Sequence, residues 1–243
     1  AACLGKPGIA TEEAKPSTQM SPLLFDLTSL QREANSKFGF SAKTTLSIAQ
    51  ALYERHKVLT YPRTDARALP EDYVAVAKKT MDVLSTGTPY REFAKKITKS
   101  GWVKPNKRVF DNSKVSDHFA IIPTLQTPHH LSEVEAKLYD LVVKRFLAVF
   151  YPPAEYLVTT RLTEVEGHTF KTEGKVLVEP GWLAIYGREA LEEQGSLPKI
   201  EQGERVRTTD AKAVGAATKP PARYTEATLL TAMEGAGKLI EDD

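Results

Sequence analysis

Within "HKVLTYPRTDARAL", residues 56–69, a phenol, a guanidinium and a carboxylate fall at Tyr61, Arg63 and Asp65. These are the residue types of a phosphoryl-transfer site. A phenol in water ionises near pH 10, so only about one in a thousand is a phenolate at neutral pH. To act as a covalent nucleophile it needs a cation or a base beside it. Pro62 biases Tyr61 toward an extended backbone, and in an extended segment residues two apart face the same way. Arg63 then stands beside Tyr61, where its fork can bind two phosphate oxygens and offset charge developing in transfer. Asp65 shares that face and can orient the arginine. The same spacing also suits a buried tyrosine beside a structural Arg–Asp pair.

Two further stretches could serve such chemistry. In "SDHFAIIPT", 116–124, His118 precedes an apolar run and so can stand where solvent meets core. There it can donate to a phosphate or move a proton near neutral pH, although a satisfied structural histidine is the commoner fate of a lone His. In "KPPARYTEATLL", Arg223 and Thr225 precede a helix start, a geometry that suits phosphate; an ordinary capped helix explains the same residues. From Lys95 to Lys114 seven cations face a single acid, Asp111. Lys104, Lys107 and Arg108 are the nucleic-acid contacts expected from this run. No metal site is expected. There is no Asp-x-Asp on a strand and no Gly-rich phosphate loop. Glu133/Glu135 and Glu164/Glu166 read as a helix cap and a turn, and His129 and His130 as surface loop.

The elements that must position these residues are partly legible. Residues 1–22 lack periodicity and read as loop or an entering strand. Thr28 and Gln31 have capping-box spacing for a first helix, which Gly39 ends. Ser41 caps a second, with Leu46, Ala49, Leu52 and Tyr53 on one face. "VLTY" is a short extended piece, and "EDYVAVAKKTMDVL" after Pro70 a third helix. A basic loop follows over about 100–117. Ser132 with Glu135 opens a long helix to about Phe150, stopped by "YPP". From Tyr156, β-branched alternation broken by glycine predicts strands, and "GERVRTTDAKAV" repeats that style. A last helix starts near Thr225. The fold class is therefore α+β.

Composition narrows the setting. The chain has 243 residues, 41% hydrophobic and 26% charged, with net charge +2. That is ample for one large or two ordinary domains. No run approaches a membrane span, and the N-terminus lacks a signal-peptide core. A single cysteine, Cys3, rules out an internal disulfide framework and fits a reducing cytoplasm. The absence of an initiator methionine and a helical pattern begun just before the last residue suggest a piece excised from something longer.

Together the motifs resemble those of type IA DNA topoisomerases. "LTYPRTDARAL" is similar to the family's active-site tyrosine motif, Tyr-x-Arg-Thr-Asp-Ser, and "SDHFAIIPT" to its His-x-Ala-Ile-x-Pro-Thr element. "KPPARYTEATLL" resembles Pro-Pro-x-Arg-(Phe/Tyr)-Thr-Glu-Ala-Ser/Thr-Leu. "SLQREANSKFGFSAKTTLSIAQALYE" is similar to the helical stretch before the tyrosine. Order and spacing match over nearly the whole chain after about residue 20, and Pro62 with "DHFAIIPT" leans toward the topoisomerase III branch.

The resemblance implies that Tyr61 forms a 5′-phosphotyrosine link to single-stranded DNA. Arg63 would stabilise the phosphate and His118 contact it, with Arg223 and Thr225 at the strand-passage gate. It implies relaxation of negative supercoils or decatenation without ATP by a monomeric enzyme. It also implies Mg²⁺ held by an N-terminal Toprim domain outside this chain, so that the chain alone is inactive. Residues 1–22 would enter the β-rich arch, 23–150 form the helical domain with the tyrosine, 151–218 the arch and hinge, and 219–243 begin the gate domain. Ala66 departs from the family's serine, which puts a supporting hydrogen bond in doubt. Tyrosine recombinases and type IB enzymes need a His-x-x-Arg pair, and His118 is followed by Phe, Ala and Ile. The remaining alternative is a non-catalytic single-strand-binding module.

Overall fold

The computed structural model describes residues 2–187 and 197–236. They form two compact units, one of residues 1–20 with 152–221 and the other of 21–151 with 222–243. Residues 188–196, within the expected strand-rich stretch, and 237–243, at the end of the expected C-terminal helical stretch, lie outside the described residues.

The first unit is an antiparallel sheet in which β1 (Pro7–Gln19), β2 (Ala154–Val165), β3 (His168–Glu179) and β4 (Glu204–Arg207) take the order β3-β2-β1-β4. β1 is therefore a strand of 13 residues where the sequence left loop or strand open. It tolerates Pro16 because β4 pairs only with Pro7 to Ala10, leaving the rest of that edge open for a residue with no N–H to give. β2 and β3 turn through Glu166 and Gly167, both at positive φ (50° and 75°), the backbone a two-residue hairpin requires. "GERVR" is a strand only over its four residues of β4; "TTDAKAV" has no regular structure.

The second unit is helical. Its helices are α1 (Leu27–Phe38), α2 (Ala42–Glu54), α3 (Val74–Leu84), α4 (Arg91–Lys99), α5 (Glu133–Ala148) and α6 (Glu226–Glu234). α5 lies at the centre, with Leu138, Val142, Phe146 and Leu147 fully buried. Arg145, also buried, reaches the Leu23 carbonyl (2.9 Å) and Glu33 on α1, and its guanidinium lies 4.0 Å from the centre of the Phe25 ring. The Ser132–Glu135 capping box forms as expected, and Gly39 ends α1 in the left-handed region at φ 68°.

Two expectations are corrected, and one helix was not anticipated. α1 is capped by Asp26 and Ser29, not Thr28 and Gln31: Asp26 Oδ1 accepts from Ser29 N (2.7 Å), and Ser29 Oγ accepts from Asp26 N (3.2 Å). Tertiary pairing sets this start, since the Leu27 amide donates to the Thr64 carbonyl (2.9 Å). The buried face of α2 is Thr45, Ile48, Ala49 and Leu52, so Leu46 and Tyr53 sit at its margin. Finally, Lys95, Lys96 and Lys99 lie on α4, a helix whose only buried residues are Ala94 and Ile97. Phe93, Ala94 and Ile97 are apolar at helical spacing, but nine residues make a short window for a period.

Candidate active site

Tyr61 sits on an extended segment because α2 cannot continue into it. Lys57 takes a left-handed conformation (φ 59°), and Val58 N then closes onto the Leu52 carbonyl (2.9 Å). From there the chain runs beside "HFAIIPT". Thr60 N donates to the Ile122 carbonyl (3.0 Å), Thr124 N to the Val58 carbonyl (3.0 Å), and Leu59 bridges Pro123. The ladder cannot continue through Pro62, which has no N–H. Side chains take over: Thr60 Oγ1 donates to the Ala120 carbonyl (3.0 Å) and accepts from Ile122 N (2.9 Å). Thr64 Oγ1 donates to the His118 carbonyl (3.1 Å) and accepts from Ala66 N (3.0 Å). Two motifs far apart in sequence are thereby fastened edge to edge.

Along this segment Pro62, Thr64, Ala66 and Ala68 are buried, Arg63 and Asp65 are exposed, and Tyr61 and Arg67 are half-buried. That is the period of two expected of an extended chain with one face on a core. His118 is exposed, and its ring packs on that of Tyr61 with centroids 4.3 Å apart. Tyr53 meets Tyr61 edge-on from α2 at 5.4 Å. The ring of the candidate nucleophile is thus held between a histidine and a second tyrosine. Ala66, where the resemblance leads one to expect serine, is 4% exposed.

Asp65 does not orient Arg63. Among the described residues no ion pair joins them: Arg63 Nη2 donates to Gln50 Oε1 on α2 (3.4 Å), while Asp65 is 3.5 Å from Ser116 Oγ. Arg63 leans toward α2 and Asp65 toward the loop before His118, so one face carries both without pairing them.

Four of the nine tyrosines are poor nucleophiles on electrostatic grounds. Burial pushes the Tyr139 and Tyr151 hydroxyls up to about 12. It also raises Tyr73, helped by Asp72, and raises Tyr90 further, where Asp140 accepts the phenol proton at 2.9 Å.

The expected nucleic-acid contacts divide. Lys107 pairs with Glu71, and Arg108 donates to the Ser21 carbonyl from a partly buried position that lowers its pKa by desolvation. Lys104, Lys95 and Lys99 are exposed and have no side-chain partner among the described residues. Arg223 is exposed, whereas Thr225 caps α6, its hydroxyl accepting from Thr228 N (3.2 Å). Among the described residues no three His, Cys, Asp or Glu side chains gather as they would around a metal ion, and no helix is long and apolar enough to cross a membrane. Thr60, Gln50 and Tyr53 fall within quoted motifs, but only the pairing of the two segments with α2 shows what they touch.

Known proteins give the same picture. The sequence model of the DNA topoisomerase family matches residues 5–237. DNA topoisomerase 3 of Bacillus licheniformis is 43% identical over 98% of this chain and 34% of its own length. The Bacillus subtilis enzyme of the same name is 42% identical, with the same two shares. The structure of full-length topoisomerase I from Thermotoga maritima superposes with a TM-score of 0.64 at 26% identity, covering 96% of this chain and 38% of that one. The chain spans about a third of the length of these relatives. With a family match over nearly all its residues, the chain belongs to the type IA DNA topoisomerases.

Proposed function

We propose that Tyr61 Oη attacks a phosphorus of single-stranded DNA, breaking the P–O3′ bond to leave a 5′-phosphotyrosine and a free 3′-hydroxyl. Attack of that hydroxyl on the phosphotyrosine restores the strand. One phosphate diester is exchanged for another of similar energy, so the cycle needs no ATP and can relax negative supercoils or separate linked DNA. Arg63, exposed on the face that carries Tyr61, binds the non-bridging oxygens as charge grows on them. His118 donates to the same phosphate. Lys95, Lys99, Lys104 and Arg223 supply sequence-independent attraction to the backbone. Lys107, Arg108 and Thr225 are left out, because their side chains are already engaged within the fold.

The observation that carries this reading is the packing of His118 on Tyr61 at 4.3 Å, held by the threonine bonds between their segments. Among the described residues no cluster of acidic side chains fits a Mg²⁺ site, and no step above is assigned to one. The Mg²⁺ of the family belongs, in this reading, to a Toprim domain outside the chain. The full-length protein acts as a monomer in the cytoplasm.

The test is to trap the DNA adduct of the full-length protein and map it by peptide mass. Tyr61→Phe should abolish the adduct while single-strand affinity stays within about twofold; an adduct on another tyrosine overturns the assignment. These 243 residues alone should bind DNA without relaxing plasmid, and relaxation lost in Tyr61→Phe would show that they suffice.

A further inference from the structure

Beside Tyr61 opens a recess of about 320 Å³, lined by Tyr53, Lys57, Leu59, Thr60, Tyr61, Phe119 and Thr124. The phosphate chemistry above does not use it. Its size is at the low end for small-molecule clefts, enough for one flat ring system. Its aromatic walls are fixed from behind. Phe119 is backed by Tyr73 (centroids 4.7 Å apart), and Tyr53 is set edge-on against Tyr61.

The two threonine hydroxyls of the lining are spent. Thr60 Oγ1 both donates and accepts within the ladder. Thr124 Oγ1 donates to the Lys57 carbonyl (2.6 Å) and accepts from Gln126 N (3.2 Å). An occupant therefore meets aromatic faces and aliphatic carbon, with no threonine hydroxyl free to read it. Beside the Tyr53 and Tyr61 hydroxyls, the remaining polar group is Lys57, whose ammonium is 5.8 Å from the centre of the Tyr53 ring. Lys57 also holds a left-handed backbone that a non-glycine residue adopts at a cost of about 1–2 kcal/mol. The Thr124 hydroxyl pins that conformation by donating to the Lys57 carbonyl. Backbone strain of this kind gathers at functional sites.

We propose that this recess takes one unpaired nucleobase of the cleaved strand, next to the phosphate that Tyr61 attacks. The base stacks on Phe119 and Tyr53, and Lys57 closes the rim against its sugar–phosphate. Stacking without hydrogen bonds to the base edge tolerates every base. Larger rings gain more contact, so purines bind better than pyrimidines. The base then sets the register of the strand on Tyr61, making Phe119 and Tyr53 positioning residues for the reaction. The inference rests on Tyr61 being the nucleophile.

The test uses the full-length wild-type protein and oligonucleotides in which one position at a time around the mapped cleavage point is abasic. Loss of one base should weaken binding about tenfold at a single position adjacent to the cleaved phosphate, and 2-aminopurine at that position should be quenched on binding. Phe119→Leu, which keeps an apolar wall but removes the ring, should abolish both signals. A flat abasic scan alongside an intact Tyr61 adduct overturns the recess and leaves the nucleophile standing. An adduct on a different tyrosine overturns both.

Discussion

Arg63 and Asp65 show what residue spacing can and cannot say. Their alternation with buried neighbours was legible, because a half-buried extended chain has only one period. Their lack of contact was not, because side-chain direction depends on α2 and on the loop before His118, which spacing does not reveal. Gln50 on α2 is the partner Arg63 has, at a long 3.4 Å. Such a contact is easily exchanged for phosphate, and a charge-assisted bond is worth about 1.5–3 kcal/mol. Arg63→Lys keeps the charge but loses the two-pronged geometry. It should therefore slow strand cleavage at least tenfold while weakening single-strand binding less than threefold. Equal losses in single-turnover cleavage and in equilibrium binding would give Arg63 a role in binding alone. Gln50→Ala, by contrast, should leave cleavage nearly unchanged.

At the scale of elements, the pairing of "LTYPRTDARAL" with "HFAIIPT" depends on two threonines standing in where the backbone ladder lapses. Pro62 made the lapse readable in the sequence, but the substitutes were not, since a threonine looks the same whether or not it bridges strands. Thr60→Val strands the Ala120 carbonyl and the Ile122 amide. It should lower stability by about 1–3 kcal/mol in urea unfolding, and Thr60→Ser should restore most of it. Capping boxes were legible where the local pattern decided the start, as at Ser132, and not where a tertiary bond did, as at Asp26. Glu135 extends its own cap into a junction: it accepts from Ser132 and also contacts Arg55 and His56 at the end of α2. The Ser132 hydroxyl and amide hold its carboxyl down to about 2, from an ordinary 4.5. A depressed carboxylate stabilises the fold above its unfolded pKa and loses that contribution as pH falls. Stability should thus decline between about pH 4.5 and pH 2, with the carboxylate protonated in both states below that range. Glu135→Gln should be less stable at pH 7 and show a flatter melting-temperature profile across that interval; an unchanged slope would put the acid sensitivity elsewhere.

Over the whole molecule, a net charge of +2 conceals how unevenly the cations are deployed. Of the seven between Lys95 and Lys114, Lys107 and Lys114 are matched by Glu71 and Asp111. Arg108 is folded onto Ser21, and Lys96 lies over the rings of Trp102 and Tyr151. Lys95 and Lys99 are four residues apart and so share one ridge of α4. Together with Lys104 they are exposed and, among the described residues, without side-chain partners. In the sequence the seven look alike, because charge is visible there and partnership is not. A cation with no internal partner is free to displace the counterions of DNA, whereas one already paired must first give up its carboxylate. Each phosphate neutralised on a single strand contributes about 0.7 to the slope of log affinity against log salt. Replacing Lys95, Lys99 and Lys104 together by glutamine should therefore flatten that slope by about 2, measured by fluorescence anisotropy over a salt series. The same replacements at Lys107, Arg108 and Lys114 should change it by less than about 1. If both triple variants flatten the slope equally, the internal partners are displaced by DNA and the whole run behaves as one cationic surface. If neither does, α4 and the loop after it face away from the bound strand.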